Sequence, residues 1–265
     1  MRFSGAVWYQ GEANAQDPIS YACRFPAMIT DWRKKFSLEL PFFFVQLAAF
    51  PTYDYSFIRA AQLAATQLPK VGFATAIDIG DPSSPAGSVH PRRKQEVGRR
   101  LSLVVRSIQY KERGGLVASG PVLSGVQFGT DEDGLSTLQL SFQPGTADGL
   151  HAFDAPECTT CCMVLPFHVL DMYGKWRRVE SGTVVGSEVH LEMNTSISGI
   201  RYAWDPYPEC NLYNGRGGPD DHEGIAAAPF EWCAYPSGSP SWSEQGCRVP
   251  IGVETFSTTS SSWKI

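Results

Sequence analysis

Three short apolar runs, each followed by a stretch with helical periodicity, constrain the fold of the first 110 residues most strongly. The runs end at Tyr9, Ala48 and Ile79, and residues 41–48 (PFFFVQLA) are apolar almost throughout. A continuous apolar strand is typical of a parallel sheet that is buried on both faces. The helical stretches cover residues 20–36, 57–68 and 91–110. We place the start of the third helix at Pro91, because proline is favoured at the first helical position. The alternation predicts an α/β domain with a helix-covered parallel sheet.

The pattern changes after residue 112. Residues 111–121 contain Gly and Pro and resemble a linker, and short segments of alternating polarity follow them. Such segments, separated by turn residues, are typical of a β-sandwich or barrel. The end of the chain is rich in Ser, Gly and Pro. We therefore predict an α/β domain over residues 1–112, a β-sandwich-like domain over 113–235 and an irregular tail over 236–265.

A polar cluster stands directly after the first apolar run. Gln10, Gly11, Glu12 and Asn14 follow the strand that ends at Tyr9. Open α/β sheets bind their ligands at the carboxyl ends of the strands, so this cluster is a candidate site. The alternative is an ordinary polar turn in which Asn14 or Asp17 caps the next helix. The local pattern does not separate these two interpretations.

A second stretch, residues 78–101 (DIGDPSSPAGSVHPRRKQEVGRRL), favours the site. Together with residues 8–14 (WYQGEAN) and 41–48, it resembles the sialate O-acetylesterases, carbohydrate esterases of the SGNH-hydrolase superfamily. The resemblance runs from residue 5 to about residue 106 and resumes at 199–214 (GIRYAWDPYPECNLYN). It implies a flavodoxin-like catalytic domain, present here in part, and serine-dependent hydrolysis of carboxylic esters.

The resemblance also implies roles for individual residues. His90 matches the family's catalytic histidine in its His-Pro-x-x-Lys setting. Many SGNH hydrolases place an aspartate three residues before this histidine, where this chain has Gly87. Asp81 or Asp78 is then expected to orient the imidazole, unless a backbone carbonyl does so. Ester hydrolysis also needs donors for the developing oxyanion, and the resemblance assigns that role to the glycine and asparagine of the Gly-x-x-Asn pattern, residues 11 and 14.

Four further polar residues are candidates for shaping the site. Gln10 and Glu12 are neighbouring polar residues in the family pattern, and we expect them to line the site or to hold Arg59 and Gln62. Gln46 ends a buried strand, where its amide needs hydrogen-bond partners. It is therefore either a substrate-binding residue at the carboxyl rim of the sheet or an ordinary paired core amide.

The family's nucleophilic serine belongs to a Gly-Gln-Ser-Asn-Met type of block upstream of Trp-Tyr-Gln-Gly-Glu, and these 265 residues contain no such block. The chain thus looks like the C-terminal portion of a longer enzyme, whose N-terminal part would be its partner. We expect an esterase that removes O-acetyl groups from sialic acids or related acetylated glycans, inactive as this portion alone. The alternatives are a non-catalytic carbohydrate-binding or truncated remnant, and a polysaccharide deacetylase of the xylan type.

Composition restricts the other partners. The formal net charge of −5 disfavours nucleic acid, and no apolar run approaches the roughly 20 residues of a membrane span. The resemblance implies no cofactor. We expect no metal either, because the Cys158–Cys161 pair and the acidic loop at residues 220–223 lack a second ligand set of recognisable spacing.

The cysteines point to an oxidising compartment. Six of the seven lie in the C-terminal half, where we expect disulfides whose pairing the sequence does not reveal. Asn194-Thr195-Ser196 is a glycosylation sequon. The first ten residues do not resemble a signal peptide. From the cysteines and the sequon we expect the full-length protein, whose signal would lie in the missing part, to be secreted or lysosomal.

Overall fold

The computed structural model describes residues 3–36, 39–112, 114–132, 134–153, 164–215 and 224–233, together with the backbone of 262–264. These residues form two compact units. The first unit comprises Met1–Ser119 with Asp205–Tyr207, and the second comprises Gly120–Trp204 with Pro208–Ile265. The division falls a few residues beyond the predicted boundary at residue 112. The inclusion of residues 205–207 in the first unit was not predicted.

The first unit is built on a parallel sheet of three strands in the order β1-β2-β3. The strands are β1 (Ala6–Trp8), β2 (Phe42–Gln46) and β3 (Val71–Thr75). The helices are α1 (Pro18–Phe36), α2 (Ser56–Gln62) and α3 (Lys94–Ile108), with 3₁₀ helices at Glu12–Asn14 and Leu63–Gln67. In the described part of the chain β1 is an edge strand, and Val7 is 64% exposed there. The predicted α/β fold with a parallel sheet is confirmed.

The alternating faces of β2 explain its continuous apolar sequence. Phe42 and Phe44 pack in one cluster with residues of α1 and α2, such as Phe25. Phe43 and Val45 pack in a second cluster that contains residues of α3. Successive side chains of a strand point to opposite faces, so covering both faces requires apolar residues at every position.

Glycine allows α3 to approach the sheet closely. A Cβ atom at Gly72 on β3 would lie 2.4 Å from Ile108 and 2.6 Å from Val104. Both contacts are shorter than side chains tolerate, so a larger residue at this position would force the Ile108 and Val104 side chains, or the helix that carries them, to shift.

The start of α3 differs from the prediction. Pro91 precedes the helix instead of opening it, and the first helical residue is Lys94. The intervening residues form a turn in which the backbone N–H of Arg92 donates to Asp81 Oδ2 at 3.2 Å. This hydrogen bond connects the Arg92 backbone to the preceding loop, which contains Asp81.

The second unit consists of antiparallel strands. In chain order they are β4 (Leu123–Thr130), β5 (Ser136–Phe142), β6 (His151–Phe153), β7 (Phe167–Asp171), β8 (Trp176–Arg178), β9 (Ser181–Val185), β10 (Glu188–Met193), β11 (Ile197–Tyr202), β12 (Asn211–Tyr213), β13 (Phe230–Cys233) and β14 (Ser262–Lys264). They form sheets with the orders β14-β4-β5-β10-β9, β13-β11-β7-β8 and β12-β6. The prediction of a β-rich second domain is confirmed.

One aromatic contact joins the two larger sheets of this unit. The ring centroids of Phe128 on β4 and Trp232 on β13 lie 5.6 Å apart. The tail predicted to be irregular contains β14, which pairs with β4, so that prediction is wrong for residues 262–264. The other residues of the tail lie outside the described ranges.

The described cysteines include two disulfide-bonded residues, Cys210 and Cys233, whereas Cys23 is free and exposed. The predicted sequon residue Asn194 is exposed in the turn between β10 and β11. Cys158, Cys161, Cys162, Cys247 and residues 220–223 lie outside the described ranges. None of the described helices is long and apolar enough to cross a membrane.

Candidate active site

Three loops meet at the carboxyl edge of the parallel sheet, because each strand of such a sheet ends at the same edge. Contacts connect the loops that follow β1 and β3. The Lys94 ammonium nitrogen lies 4.3 Å from the ring centroid of Tyr9, and Val89 packs against the apolar cluster that includes Leu47 and Tyr55. The loop that carries His90 is therefore held against the first two loops of the sheet.

A chain of hydrogen bonds orients Asn14. The Tyr21 hydroxyl donates to Gln10 Oε1 at 3.1 Å, and Gln10 Nε2 donates to Asn14 Oδ1 at 2.6 Å. The side-chain oxygen of Asn14 is thus occupied, while its Nδ2 group donates to none of the described residues. Burial and, to a smaller extent, the charge of Glu12 raise the pKa of Tyr21 to about 12, which keeps its hydroxyl protonated as the donor.

Gly11 supplies a second unoccupied donor. Its carbonyl accepts a hydrogen bond from the Asn14 N–H at 2.9 Å, but its own buried N–H donates to no other described residue. Its φ of 150° favours glycine, and a Cβ atom would lie 3.2 Å from Leu47 and 3.3 Å from Gln62. Because buried N–H groups are normally paired, an unpaired one in a loop at the carboxyl edge of the sheet suits an incoming oxygen atom.

The charge of Glu12 acts on neighbouring ionisable groups of the site, among them Tyr9 and Lys94. Its charge adds to the effect of burial in raising the pKa of Tyr9. Burial lowers the pKa of Lys94, and Glu12 opposes that shift. Glu12 is partly exposed and belongs to the 3₁₀ helix after Gly11. We did not predict Lys94 as a site residue, although it is the lysine of the His-Pro-x-x-Lys pattern.

Gln46 and Arg59 are completely buried and brace the loop after β2. Gln46 Nε2 donates to the Arg59 carbonyl at 3.3 Å, and Gln46 Oε1 has no hydrogen-bond partner among the described residues. The Arg59 guanidinium donates to Ser56 Oγ at 3.1 Å. Burial lowers the pKa of Arg59 to about 10, although Asp54 and Asp205 oppose this shift. Both side chains therefore hold the loop after β2 in place. Direct contact of either side chain with substrate stays a prediction.

A short segment from far along the chain completes this edge of the sheet. We call residues 205–207 the strap. The carbonyl of Asp205 accepts from Arg59 Nη2 at 2.9 Å, and that of Pro206 accepts from the Phe50 N–H at 3.0 Å. The Tyr207 hydroxyl donates to the Gly80 carbonyl at 3.2 Å. Sequence reasoning did not assign the strap to the site, although the resemblance over residues 199–214 includes it.

His90 is exposed, and only its backbone is held. Its N–H donates to the Gly87 carbonyl at 2.8 Å, and its own carbonyl accepts from Ser84 Oγ at 2.6 Å. Its imidazole forms no hydrogen bond or ion pair with the described residues. The ring is thus accessible for proton transfer, while hydrogen bonds hold the backbone that carries it.

The structure does not bring Asp78 to His90. The carboxylate of Asp78 is buried and receives two hydrogen bonds from Arg100, at 2.6 and 2.7 Å. Arg100 also donates to Glu96 Oε1 at 2.7 Å and to the Thr75 carbonyl at 3.0 Å. Asp78 is therefore part of an ion-pair network that joins α3 to the end of β3.

Asp81 is also engaged by an arginine. Arg92 Nε and Nη2 donate to its two oxygens at 2.6 and 2.8 Å. These hydrogen bonds lower the pKa of Asp81. In this structure neither predicted carboxylate contacts the imidazole of His90, so the role of triad acid stays a prediction that the observed geometry does not support. The sequence could not reveal the partner of Asp81, because Arg92 is almost as close to it along the chain as His90 is.

We expect that Arg92→Gln raises the pKa of Asp81. With Arg92 present the folded-state pKa lies below the unfolded value, so the pair stabilises the fold above the unfolded pKa, and that contribution is lost as the pH falls through the folded pKa. The variant should weaken this acid-side dependence. Carboxyl NMR titration measures the shift, with Arg106→Gln as control, because Arg106 pairs with Glu112 elsewhere on α3. An unchanged pKa of Asp81 in Arg92→Gln would contradict the assignment.

Comparison with known proteins relates this chain to one family. Residues 2–103 match the family model described as carbohydrate esterase, sialic acid-specific acetylesterase. Sialate O-acetylesterase from mouse (Mus musculus) is 32% identical over 241 residues, which are 81% of this chain and 42% of the mouse protein. The chain is thus similar to the sialate O-acetylesterases over most of its length. The resemblance predicted from the motifs is confirmed, and every predicted site residue, from Gln10 to His90, lies in the matched segment.

Two further similarities agree with this relationship. The human (Homo sapiens) sialate O-acetylesterase is 30% identical over 247 residues, which are 81% of this chain and 44% of the human protein. The crystal structure of a carbohydrate acetylesterase from Xanthomonas citri superposes with a TM-score of 0.69 at 28% identity, covering 88% of this chain and 50% of that one. The chain spans less than half the length of the curated sialate O-acetylesterases it matches.

Proposed function

We propose that the protein is a carbohydrate esterase that hydrolyses O-acetyl esters of sialic acids. The observation that carries this proposal is the pair of unoccupied donors at the sheet edge, the Gly11 N–H and Asn14 Nδ2, in the unit that also exposes the His90 imidazole. Two donors and a base are the groups that acyl transfer requires besides a nucleophile. The similarity to sialate O-acetylesterases supports the acetyl ester as substrate.

The chemistry follows from these groups. His90 removes the proton from a serine hydroxyl as the serine oxygen attacks the acetyl carbonyl carbon. The negative charge that develops on the carbonyl oxygen is stabilised by the donors of Gly11 and Asn14. His90 then protonates the departing sugar oxygen, which leaves an acetyl-serine. Water, deprotonated by His90, attacks the acetyl carbon, the bond to the serine oxygen breaks and acetate is released. His90 returns the proton to the serine oxygen. The serine is proposed to come from a Gly-Gln-Ser-Asn-Met type of block in the full-length protein.

The substrate is tested by incubating the full-length protein with O-acetylated N-acetylneuraminic acid and, separately, with acetylated xylo-oligosaccharides. We expect acetate to be released faster from the sialic acid. Release from the xylo-oligosaccharides alone would instead identify a polysaccharide deacetylase. If a folded protein that contains the serine block releases acetate from neither, the esterase proposal is wrong and a non-catalytic role replaces it.

Asn14→Ala should lower kcat by about 10²- to 10³-fold, the usual loss for one oxyanion donor. The KM for acetylated sialic acid should change little, since the donor acts mainly on charge that develops in the transition state. Steady-state kinetics of acetate release measure both constants.

Asp17→Asn is the matched control for Asn14→Ala. Asp17 lies three residues further along, and its carboxylate accepts from the Ser20 N–H at 3.2 Å at the start of α1. Its replacement should leave kcat near normal. If Asn14→Ala raised KM while kcat was unchanged, Asn14 would be a substrate-binding residue and not an oxyanion donor.

A further inference from the structure

Gln62, the last residue of α2, is completely buried and connects the first two loops of the site. Its Nε2 group donates to the carbonyl of Gln10 at 3.1 Å and to that of Val45 at 3.0 Å. Its Oε1 atom accepts from the Leu47 N–H at 3.0 Å. Both amide protons are therefore used, and the side chain holds the loop after β1 against the end of β2.

The bond to the Gln10 carbonyl acts directly on the Gly11 N–H, because the two groups belong to the same peptide unit. The unit is planar, and the described chain contains no cis peptide bonds, so the C=O and N–H point in opposite directions. Fixing the carbonyl towards Gln62 therefore fixes the N–H away from it. The Tyr21 hydroxyl also donates to the Gln10 carbonyl, at 3.4 Å, and so helps to fix the direction of the same peptide unit.

We propose that Gln62 is a positioning residue that sets the direction of the Gly11 N–H. Its role in catalysis rests on the esterase proposed above, whereas its role in orienting the peptide does not. Glycine is needed for the same reason, since a Cβ atom at position 11 would lie 3.3 Å from Gln62 Nε2 and press against the group that holds the peptide.

Glutamine is the side chain that this position requires. An amide presents two donors and an acceptor in one plane, which matches the two carbonyls and one N–H around it. Methionine has a similar length but no donors, so Gln62→Met removes one hydrogen-bond partner from each of three backbone groups. Asparagine keeps the amide but is one methylene shorter, so Gln62→Asn cannot reach all three groups.

The experiment follows the Gly11 amide and catalysis separately. NMR of the 265-residue chain labelled with isotopic glycine reports the chemical shift and the hydrogen-exchange rate of the Gly11 N–H in wild type, Gln62→Met and Gln62→Asn. The full-length protein reports kcat and KM for acetate release. Ile58→Val is the matched control, because Ile58 is buried on the same helix and contacts the core instead of Gln10.

We expect both Gln62 variants to shift the Gly11 resonance and to speed its exchange, and to lower kcat by about 10²-fold with little change in KM, as a displaced catalytic group does. Ile58→Val should leave these quantities unchanged. If Gln62→Met does not fold, Gln62→Asn decides. An unchanged Gly11 amide in the folded variants overturns the inference. A perturbed amide in a protein whose wild type releases no acetate upholds the positioning and refutes the proposed function.

Discussion

Replacing His90 by alanine in the full-length protein should lower kcat for acetate release by about 10⁴- to 10⁶-fold. No other imidazole is expected to take the proton from the serine. The imidazole is exposed and makes no contact with a described residue that would hold the fold together, so stability should be unaffected. Steady-state kinetics and thermal unfolding of the same preparation separate the two effects.

Asp81→Asn is the control that tests the orienting group. Because the Asp81 carboxylate is held by Arg92 and not by His90, we expect turnover to stay near normal. A loss of several orders of magnitude would show that Asp81 leaves Arg92 and orients the imidazole in the working enzyme. If His90→Ala itself retained normal turnover, the esterase proposal would fail.

Replacing Arg100 by methionine should lower the free energy of unfolding by about 3–5 kcal/mol. Arg100 is almost completely buried and neutralises the carboxylates of Asp78 and Glu96, which are themselves buried. Its loss leaves both carboxylates, and the Thr75 carbonyl, without this donor. Urea denaturation of the 265-residue chain measures the change.

Arg106→Met is the matched control on the same helix. Arg106 also forms a 2.6 Å ion pair, with Glu112, but these side chains are 46% and 40% exposed. Its replacement should change stability little, since water and salt screen exposed pairs. Equal effects of the two replacements would mean that the buried network does not hold α3 against the sheet.

The dependence of the free energy of unfolding on acidic pH gives an independent check on the role of Arg100. Burial would raise the pKa of Glu96, but hydrogen bonds and charge from Arg99 and Arg100 outweigh it and lower that pKa. A lowered folded-state pKa stabilises the fold above the unfolded value, and this contribution is lost as the pH falls through the folded one. The difference between wild type and Arg100→Met should therefore shrink in acid.

The order and type of the elements in the first unit were predictable from the sequence, because they depend on patterns that repeat within a few residues. The unbroken apolar run of β2 required a cover on both faces, and the structure supplies two apolar clusters. The family was also predictable, since the motifs around Gly11 and His90 are contiguous. The start of α3 was not, because Pro91 is equally compatible with a turn.

The sequence by itself thus determined the α/β class, the β-rich second domain and the segment that carries the candidate site. Only the tertiary structure decided the partners of most polar groups: Arg92 for Asp81, Arg100 for Asp78, and the strap for Arg59. A contact between Gln10 and Gln62 was among the expectations, and the structure showed that Gln62 binds the backbone carbonyl of Gln10. The physical reason is that burial periodicity is a local property of the chain, whereas a hydrogen bond depends on which groups the completed fold brings within about 3 Å. Arg59 and Asp205 are 146 residues apart and carry no shared local pattern that could have predicted their contact.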